Sequence, residues 1–294
     1  MKILDGKNLS NVIKQEIKES VEKRLSLGLK KPHLAAIIVG DDGASLTYVG
    51  SKVRSCEEVG FESTLIHLEK SISESDLLIQ IENLNSNKSI DGYIVQLPLP
   101  KHINEEKILM AVSPNKDVDG FHPTNFGKMA LNMETFIPAT PYGIMELLKR
   151  YKIETKGKHT VVIGRSHIVG RPISILMNSK GAVGDSTVTV THSRTTDIES
   201  YIKKADIVVS ALGIPGFVKK NMLKDGVVII DVGITRVESA EHPKGYTIQG
   251  DVDFESAKEV ASYITPVPGG VGPMTIAMLL KNTLLSKSLS KDMF

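Results

Sequence analysis

The sequence predicts a two-domain α/β protein built on parallel sheets. A chain of 294 residues is long enough for two ordinary domains. Short apolar runs rich in β-branched residues alternate with amphipathic stretches over the first hundred residues, and a second alternating series begins near residue 160. Strands that alternate with helices are typical of parallel sheets, because each crossover helix covers one face of the sheet.

The first half follows this pattern from residue 8 onward. Leu9, Ile13, Ile17 and Val21 recur at helical spacing, which predicts an amphipathic helix. We expect helices at 8–27, 44–59 and 72–85, and strands at 34–39, 61–68 and 92–97. The stretch 98–123 contains four prolines and an Asp-Gly turn, which predict a loop after the third strand. Open α/β sheets bind their ligands at this carboxyl edge.

The second half begins with a connecting helix at 141–151. Val161, Val162 and Ile163 then predict a buried strand, Gly164 an abrupt turn, and the next residues the start of a helix. We expect further strands at 186–190, 207–209 and 227–231 and a helix at 198–203. The stretch 264–273 is too rich in Pro and Gly for regular structure, and 274–285 predicts a final helix.

The turn at Gly164 has the features of a phosphate-binding loop. Unpaired N–H groups and the positive dipole end at a helix start favour a phosphate there. The spacing departs from Gly-x-Gly-x-x-Gly, because Ser166 and Val169 replace the second and third glycines and Gly170 follows one residue late. A turn that carries two glycines and binds no ligand remains the alternative.

The end of the next strand favours NADP as the ligand. NAD enzymes usually carry Asp or Glu there to accept from the ribose 2′-hydroxyl. This chain has Thr191, His192, Ser193 and Arg194 instead, a set of hydroxyls and cations that suits a 2′-phosphate. We therefore expect NADP rather than NAD.

Composition argues against several other classes of protein. A net charge of +2 argues against a nucleic-acid-binding surface. No apolar run approaches the ~20 residues that span a bilayer, and Met1–Gly6 lacks the apolar core of a signal peptide, so we expect a cytoplasmic protein without membrane contact.

Cys56 is the only cysteine, which excludes an intrachain disulfide, and we expect it in the core. The histidines lack ligand spacing, so no metal is expected.

A tyrosine and a lysine share one face of the helix expected at 44–59. Tyr48 and Lys52 are four residues apart and project together, so an aromatic surface and an amine can meet one ligand. Val49, Val53 and Cys56 form the neighbouring apolar stripe, which we expect to face the sheet. Spacing alone leaves open a Tyr–Lys pair on a solvated helix surface.

Several motifs resemble those of one enzyme family along nearly the whole chain. In chain order they are Tyr48-Val-Gly-Ser-Lys52, Val95-Gln-Leu-Pro-Leu-Pro100, Lys116-Asp-Val-Asp-Gly-Phe-His-Pro123, Gly164-Arg-Ser-His-Ile-Val-Gly-Arg-Pro172 and Pro266-Val-Pro-Gly-Gly-Val-Gly-Pro-Met-Thr275. The Gln-Leu-Pro-Leu-Pro, Asp-Val-Asp-Gly and Pro-Gly-Gly-Val-Gly-Pro motifs are individually specific. The chain resembles the bifunctional methylenetetrahydrofolate dehydrogenase/methenyltetrahydrofolate cyclohydrolase family.

This resemblance implies an N-terminal α/β catalytic domain, a Rossmann-like NADP-binding domain and a C-terminal helix that returns to the first. The folate-binding domain would comprise 1–140 plus 276–294, and the cofactor domain 141–275. The implied reactions are the NADP-dependent oxidation of 5,10-methylenetetrahydrofolate to 5,10-methenyltetrahydrofolate and its hydrolysis to 10-formyltetrahydrofolate, in one cleft between the domains. A link to purine biosynthesis and a homodimer formed through the cofactor domain are also implied.

The resemblance further implies roles for individual residues. Lys52 is the catalytic amine and Gln96 its hydrogen-bonding partner, Asp119 holds the amino and ring N–H groups of the pterin, and Tyr48 lies against the folate. Five more residues complete the substrate site: Leu97, Pro268, Gly269, Gly272 and Thr275. The cofactor-binding residues are Gly164, Arg165, Ser166, Gly170, Ser193 and Ile234. The sequence assigns no chemistry to three further residues, for which a structural role at a strand end is the alternative: Asp231, Gly233 and Asp251.

Two other functions stay open at this point. An NADP-dependent α/β oxidoreductase that acts on a cyclic hydroxy acid would share the cofactor half but would not need Gln96 and Asp119. A catalytically silent NADP-binding sensor would bind the cofactor without turning over any folate. The presence of Lys52, Gln96 and Asp119 argues against the sensor.

Overall fold

The chain is described by a computed structural model that covers residues 1–239, 242 and 245–289. It folds into two compact units. One unit joins Met1–Ser10 to Thr140–Thr275, and the other joins Asn11–Ala139 to the C-terminal helix from Ile276 onward. Each unit contains a parallel sheet with helices between its strands, which confirms the predicted two-domain α/β fold.

The elements follow one another in the order that the hydrophobic pattern predicts, with several additions. In chain order they are β1 (Lys2–Ile3), α1 (Gly6–Ser26), β2 (His33–Val39), α2 (Gly43–Glu58), β3 (Glu62–Leu68), α3 (Glu74–Ser86), β4 (Gly92–Val95), α4 (Glu105–Ala111), α5 (Pro123–Ala130), α6 (Ala139–Arg150), β5 (His159–Ile163), α7 (Gly170–Asn178), β6 (Thr187–Thr191), α8 (Ile198–Ile202), β7 (Ile207–Ser210), β8 (Val228–Asp231), β9 (Thr235–Glu238), β10 (Tyr246–Gln249), α9 (Phe254–Ala257), β11 (Tyr263–Ile264) and α10 (Val271–Leu289).

The unit that contains Asn11–Ala139 is built on a three-stranded parallel sheet in the order β3–β2–β4. The central strand β2 is almost entirely apolar and buried, as expected for a parallel strand covered on both faces. Ile37 of this strand packs in one cluster with Leu77 and Ile81 of α3 and Tyr93 of β4. This cluster holds the carboxyl ends of β2 and β4 in place.

The other unit is built on a six-stranded parallel sheet in the order β1–β11–β8–β7–β5–β6. Its core contains Val161, Val208, Ile229 and Ile264, one residue from each of four neighbouring strands. The antiparallel hairpin of β9 and β10 forms a separate two-stranded sheet. In the part of the chain that the structure describes, no helix is long and apolar enough to cross a membrane.

The segment Met1–Ser10 groups with the six-stranded sheet, whereas the sequence places it with the segment 1–140. It belongs to the compact unit that also contains Thr140–Thr275. Its strand β1 adds to the edge of the sheet, where Lys2 N donates to Ser262 O at 2.7 Å and Leu4 N to Ile264 O at 2.8 Å. A strand of two residues has no detectable periodicity, so only the sheet edge decides its place.

Two Pro- and Gly-rich stretches contain helix that the sequence analysis predicts as loop. Within 98–123, α4 begins after Asn104, whose side chain accepts from Lys107 N at 3.1 Å, and Ile108 is buried. Seven residues are too few for a clear helical period. The last helix begins at Val271 rather than at 274, because Pro273 lies in its first turn, where no N–H is needed.

Candidate active site

Helix α2 positions a tyrosine and a lysine on one side. The helix begins after Asp42, whose carboxylate accepts from the backbone N (2.9 Å) and the hydroxyl (2.8 Å) of Ser45. Such an N-cap defines where the helical turns start. Tyr48 is half-buried, and the side chain of Lys52, one turn later, is buried. This excludes the alternative of a pair on a solvated helix surface.

Lys52 is held by Gln96. Lys52 Nζ donates to Gln96 Oε1 at 3.1 Å. Gln96 follows β4 directly, and its backbone N donates to Ile37 O of β2 at 2.9 Å. Its side-chain Nε2 donates to Leu97 O at 2.7 Å, so the amide oxygen is the atom that faces the lysine. The acceptor is therefore positioned through both its backbone and its side chain.

The surroundings of Lys52 shift its protonation equilibrium. Burial lowers the pKa of Lys52, and the negative charge of Asp119 partly offsets this shift. The amine also lies 5.8 Å from the centroid of the Tyr48 ring, within the range of a cation–π contact. A lysine with a lowered pKa can exchange a proton closer to neutral pH than an exposed one.

Asp119 reaches the same site from a different segment. Tyr93 of β4 forms an isolated parallel bridge with Asp117, and Tyr93 N donates to Lys116 O at 2.9 Å. The segment that leads to Asp119 is thus attached to the edge of β4. Burial raises the pKa of Asp119, and the charge of Lys52 opposes this shift. Asp117, to which the sequence gives no role, is buried in the same segment.

The predicted substrate residues divide between the two compact units. Five of them lie in the unit that contains Asn11–Ala139: Tyr48, Lys52, Gln96, Leu97 and Asp119. All of these except Leu97 form the site described above. The other four lie in the unit with the six-stranded sheet. Pro268 and Gly269 follow β11, and Gly272 and Thr275 belong to the start of α10. There Gly269 O accepts from Lys7 N at 2.8 Å, and Thr275 Oγ1 lies 3.0 Å from Thr140 Oγ1.

The turn after β5 is compatible with a bound phosphate. Gly164 has φ +118°, and a Cβ there would lie 2.4 Å from Ala211 O. Gly170 begins α7, and a Cβ there would lie 2.3 Å from Gly164 O, so both positions require glycine. Ser166 Oγ accepts from Val169 N at 3.1 Å and Gly170 N at 3.2 Å. Because a hydroxyl accepts twice and donates once, Ser166 retains its hydrogen for a phosphate oxygen.

The end of β6 supplies a cation and a hydroxyl but no carboxylate. Ser193 and Arg194 are exposed there, and Arg165 is exposed at the end of β5. Thr191 does not contribute to this set, because it is fully buried and its hydroxyl donates to Val162 O at 3.4 Å. The remaining donors fit a ribose 2′-phosphate. The last predicted cofactor residue, Ile234, is exposed in the segment after β8.

The carboxylates of Asp231 and Asp251 accept hydrogen bonds, mostly from backbone N–H groups, in the unit with the six-stranded sheet. The Asp231 carboxylate accepts from three backbone N atoms, those of Gly233 (2.9 Å), Asp251 (3.0 Å) and Val252 (2.9 Å). Asp251 in turn accepts from three donors at the end of β7: Ser210 Oγ (3.3 Å), Leu212 N (2.6 Å) and Ile214 N (2.9 Å). A Cβ at Gly233 would lie 2.4 Å from Asp251 Oδ1. These contacts support the structural role at a strand end.

Two further expectations concern metal ligands and the single cysteine. Within residues 1–239, 242 and 245–289, no group of three or more His, Cys, Asp or Glu side chains is placed to hold a metal ion. The prediction that Cys56 is a core residue is confirmed. Burial raises the pKa of its thiol to about 12, so the thiol is protonated at neutral pH.

Comparison with known proteins is consistent with this geometry. Residues 4–119 match the catalytic domain of the tetrahydrofolate dehydrogenase/cyclohydrolase family, and residues 138–291 match its NAD(P)-binding domain. The chain is 67% identical to the bifunctional protein FolD of Flavobacterium johnsoniae over 98% of each chain.

Two solved structures extend the similarity to the fold. One is the bifunctional enzyme FolD of Campylobacter jejuni, with a TM-score of 0.92 and 47% identity over 99% of each chain. The other is the Trypanosoma brucei FolD complexed with NADP cofactor and inhibitor, with a TM-score of 0.92 and 38% identity over 98% of this chain and 97% of that one. The chain therefore belongs to the tetrahydrofolate dehydrogenase/cyclohydrolase family, whose catalytic and NAD(P)-binding domains it carries in that order.

Proposed function

We propose that this chain oxidises 5,10-methylenetetrahydrofolate to 5,10-methenyltetrahydrofolate with NADP and hydrolyses the product to 10-formyltetrahydrofolate. The observation that carries the proposal is the buried Lys52 amine, 3.1 Å from Gln96 Oε1, beside Asp119 and Tyr48. A buried amine with a lowered pKa, a neutral amide partner and a nearby carboxylate suit proton transfer to and from a bound heterocycle.

In the first reaction the chain mainly has to position the folate. NADP, which the residues of the cofactor site would hold, would supply the hydride acceptor for the one-carbon unit. The two nitrogens bridged by that carbon stabilise the resulting cation through their lone pairs, so no general acid or base is required. The Tyr48 ring supports the folate from one side, and the Asp119 carboxylate accepts from the amino and ring N–H groups of the pterin. Such positioning lowers the entropic part of the barrier.

In the second reaction the chain has to move protons. Water attacks the methenyl carbon, the bond from that carbon to one ring nitrogen breaks, and the water oxygen loses both of its protons as it becomes the formyl oxygen. The released ring nitrogen gains one of these protons, and the other leaves to solvent. Lys52 Nζ takes part in this exchange, because burial lowers its pKa toward the operating pH. Gln96 Oε1 holds the amine in place whether it is charged or neutral, since an amide oxygen accepts from both forms.

The cofactor site then belongs to the unit with the six-stranded sheet. Arg165, Ser166 and Ser193 donate to the phosphates of NADP, the turn formed by Gly164 and Gly170 lets the backbone approach, and Ile234 contributes an apolar contact. The donor set supports this assignment, because it contains exposed cations and hydroxyls and no carboxylate at the end of β6. The unit with the three-stranded sheet correspondingly binds the folate, with Leu97 beside Gln96. Pro268, Gly269, Gly272 and Thr275 are the further folate contacts.

We also infer the assembly and setting of the enzyme from its family. The chain forms a homodimer through the cofactor domain and acts in the cytoplasm without a nucleic-acid or membrane partner. Its product, 10-formyltetrahydrofolate, serves purine biosynthesis. The near-neutral net charge of +2 supports a small-molecule substrate over a polyanionic partner.

One assay tests this function. The purified chain is supplied with methylenetetrahydrofolate and either NADP or NAD, and the absorbances of reduced nicotinamide and of methenyltetrahydrofolate are followed separately. We expect NADP reduction with little accumulation of the methenyl compound. Cofactor binding without turnover of any folate would identify a sensor, and NADP-dependent turnover of a cyclic hydroxy acid alone would identify the other oxidoreductase.

A further inference from the structure

The segment that carries Asp119 is held from within by Asp117. Asp117 is buried, and its carboxylate accepts from Phe121 N at 3.2 Å, His122 N at 2.8 Å and Asn125 Nδ2 at 2.8 Å. Burial raises the pKa of Asp117 to about 7, and these hydrogen bonds oppose that shift. The peptide groups directly after Gly120 and Phe121 are thereby tied to the side chain of Asp117, two positions before Asp119.

The same segment is held from outside by the C-terminal helix. Asn282 of α10 is fully buried, and its Nδ2 donates to Val118 O at 2.8 Å and to Ile137 O at 2.9 Å. Val118 directly precedes Asp119 in the chain. Asn282 Oδ1 is buried and accepts no hydrogen bond from the residues that the structure describes. An unpaired buried acceptor lowers the stability of the folded chain. An apolar side chain would avoid this cost, so the presence of Asn282 indicates that its two donated hydrogen bonds are needed.

We propose that Asp117 and Asn282 are positioning residues that hold the Asp119 carboxylate in place for the folate. The inference rests on the proposed function, in which Asp119 accepts from the pterin. These two side chains bind backbone groups on both sides of Asp119, which restricts how far its backbone can move relative to Lys52. A displacement of about 1 Å at a reacting site can cost roughly a hundredfold in rate.

The test is a double-mutant cycle on the folate KM. Asn282→Leu keeps the size of the side chain and removes both donors, and Asp119→Ala removes the group that they position. We expect Asn282→Leu to raise the folate KM roughly 10- to 100-fold in the wild-type background and to have little further effect in Asp119→Ala. The KM for NADP should stay unchanged. Thr283→Val is the matched control, because Thr283 is equally buried in α10 but its hydroxyl donates only to Leu279 O within the helix.

A second variant keeps the test decisive if Asn282→Leu does not fold. Asp117→Asn retains one oxygen acceptor and should raise the folate KM in the same non-additive way. An equal rise of the folate KM with and without Asp119, in whichever of the two variants folds, would show a merely structural role and overturn the inference. A wild-type chain that turns over no folate would overturn the proposed function together with the inference, whereas an active wild type with additive effects would overturn the inference alone.

Discussion

Lys52 is paired with a neutral amide: its Nζ donates to Gln96 Oε1 at 3.1 Å. A carboxylate in that position would stabilise the charged amine and raise its pKa. The amide holds the amine without this effect, so the lowering of the Lys52 pKa by burial is preserved. The hydrogen bond to Gln96 thus fixes the position of the Lys52 amine and leaves its proton easy to exchange. The first two predictions test these two properties.

Lys52→Met should separate the two activities. Methionine keeps a long unbranched side chain and most of the packing but has no amine. Hydrolysis of methenyltetrahydrofolate should fall about 10²- to 10⁴-fold, the usual contribution of a positioned proton-transfer group. Hydride transfer should fall less, because it needs no proton step, and the methenyl compound should accumulate. Both rates are measured on one purified variant. Surviving hydrolysis with lost hydride transfer would show that Lys52 is not the proton-transfer group.

The pH profile of hydrolysis should follow the charge beside Lys52. Since burial lowers the pKa of Lys52, activity that needs the neutral amine should rise with pH through a pKa below the ordinary lysine value. Gln96→Glu adds a negative charge beside the amine and should move this rising limb of the pH–activity curve to higher pH by roughly one to three units. Asp119→Asn removes the charge that raises the Lys52 pKa and should move the limb to lower pH. If the rising limbs of the Gln96→Glu and Asp119→Asn variants do not move in opposite directions from that of the wild type, this explanation is wrong.

Coenzyme preference should depend on Arg165 and Ser193. Apolar replacements at these positions should weaken NADP binding by about one to two decades for each lost charge-assisted hydrogen bond, and NAD binding far less. Thr191→Val is the control, because the Thr191 hydroxyl is buried and already bonded to Val162 O. The measurement is the ratio of kcat/KM for NADP to that for NAD. Equal use of both coenzymes by the wild type would refute the assignment.

Asp251→Ala should destabilise the unit with the six-stranded sheet. The variant leaves the partners of Asp251 at Ser210, Leu212 and Ile214 without their acceptor. A loss of roughly 2–4 kcal/mol in the free energy of unfolding is expected, together with weaker NADP binding, because these residues end β7 and begin the following loop. Denaturant unfolding and NADP titration check both effects.

The control for this variant is Asp253→Ala. The Asp253 side chain caps the short helix α9 through one long contact, 3.4 Å to Ser256 N. Its loss should cost at most about 1 kcal/mol. Equal losses of stability in the two variants would show that the Asp251 network contributes no more than one helix cap.

The local pattern of residues was sufficient for the parts of this molecule that have a clear period. The apolar runs in β2, β5, β7 and β8 and the helical spacing of α2 predict their elements to within a few residues, since strand and helix periodicity is a property of neighbouring residues. The same spacing places Tyr48 and Lys52 on one side of α2. The family motifs add Gln96 and Asp119, whose spacing alone carries no such signal.

Only the tertiary structure decided the features that depend on residues far apart in the chain. The pairing of β1 with β11 moves Met1–Ser10 into the other unit, and the sheet removes Thr191 from the surface. Asn282 contacts the carbonyl of Val118 across 164 residues of sequence. No local period encodes such a contact, because it exists only once the C-terminal helix has packed against the segment that carries Asp119.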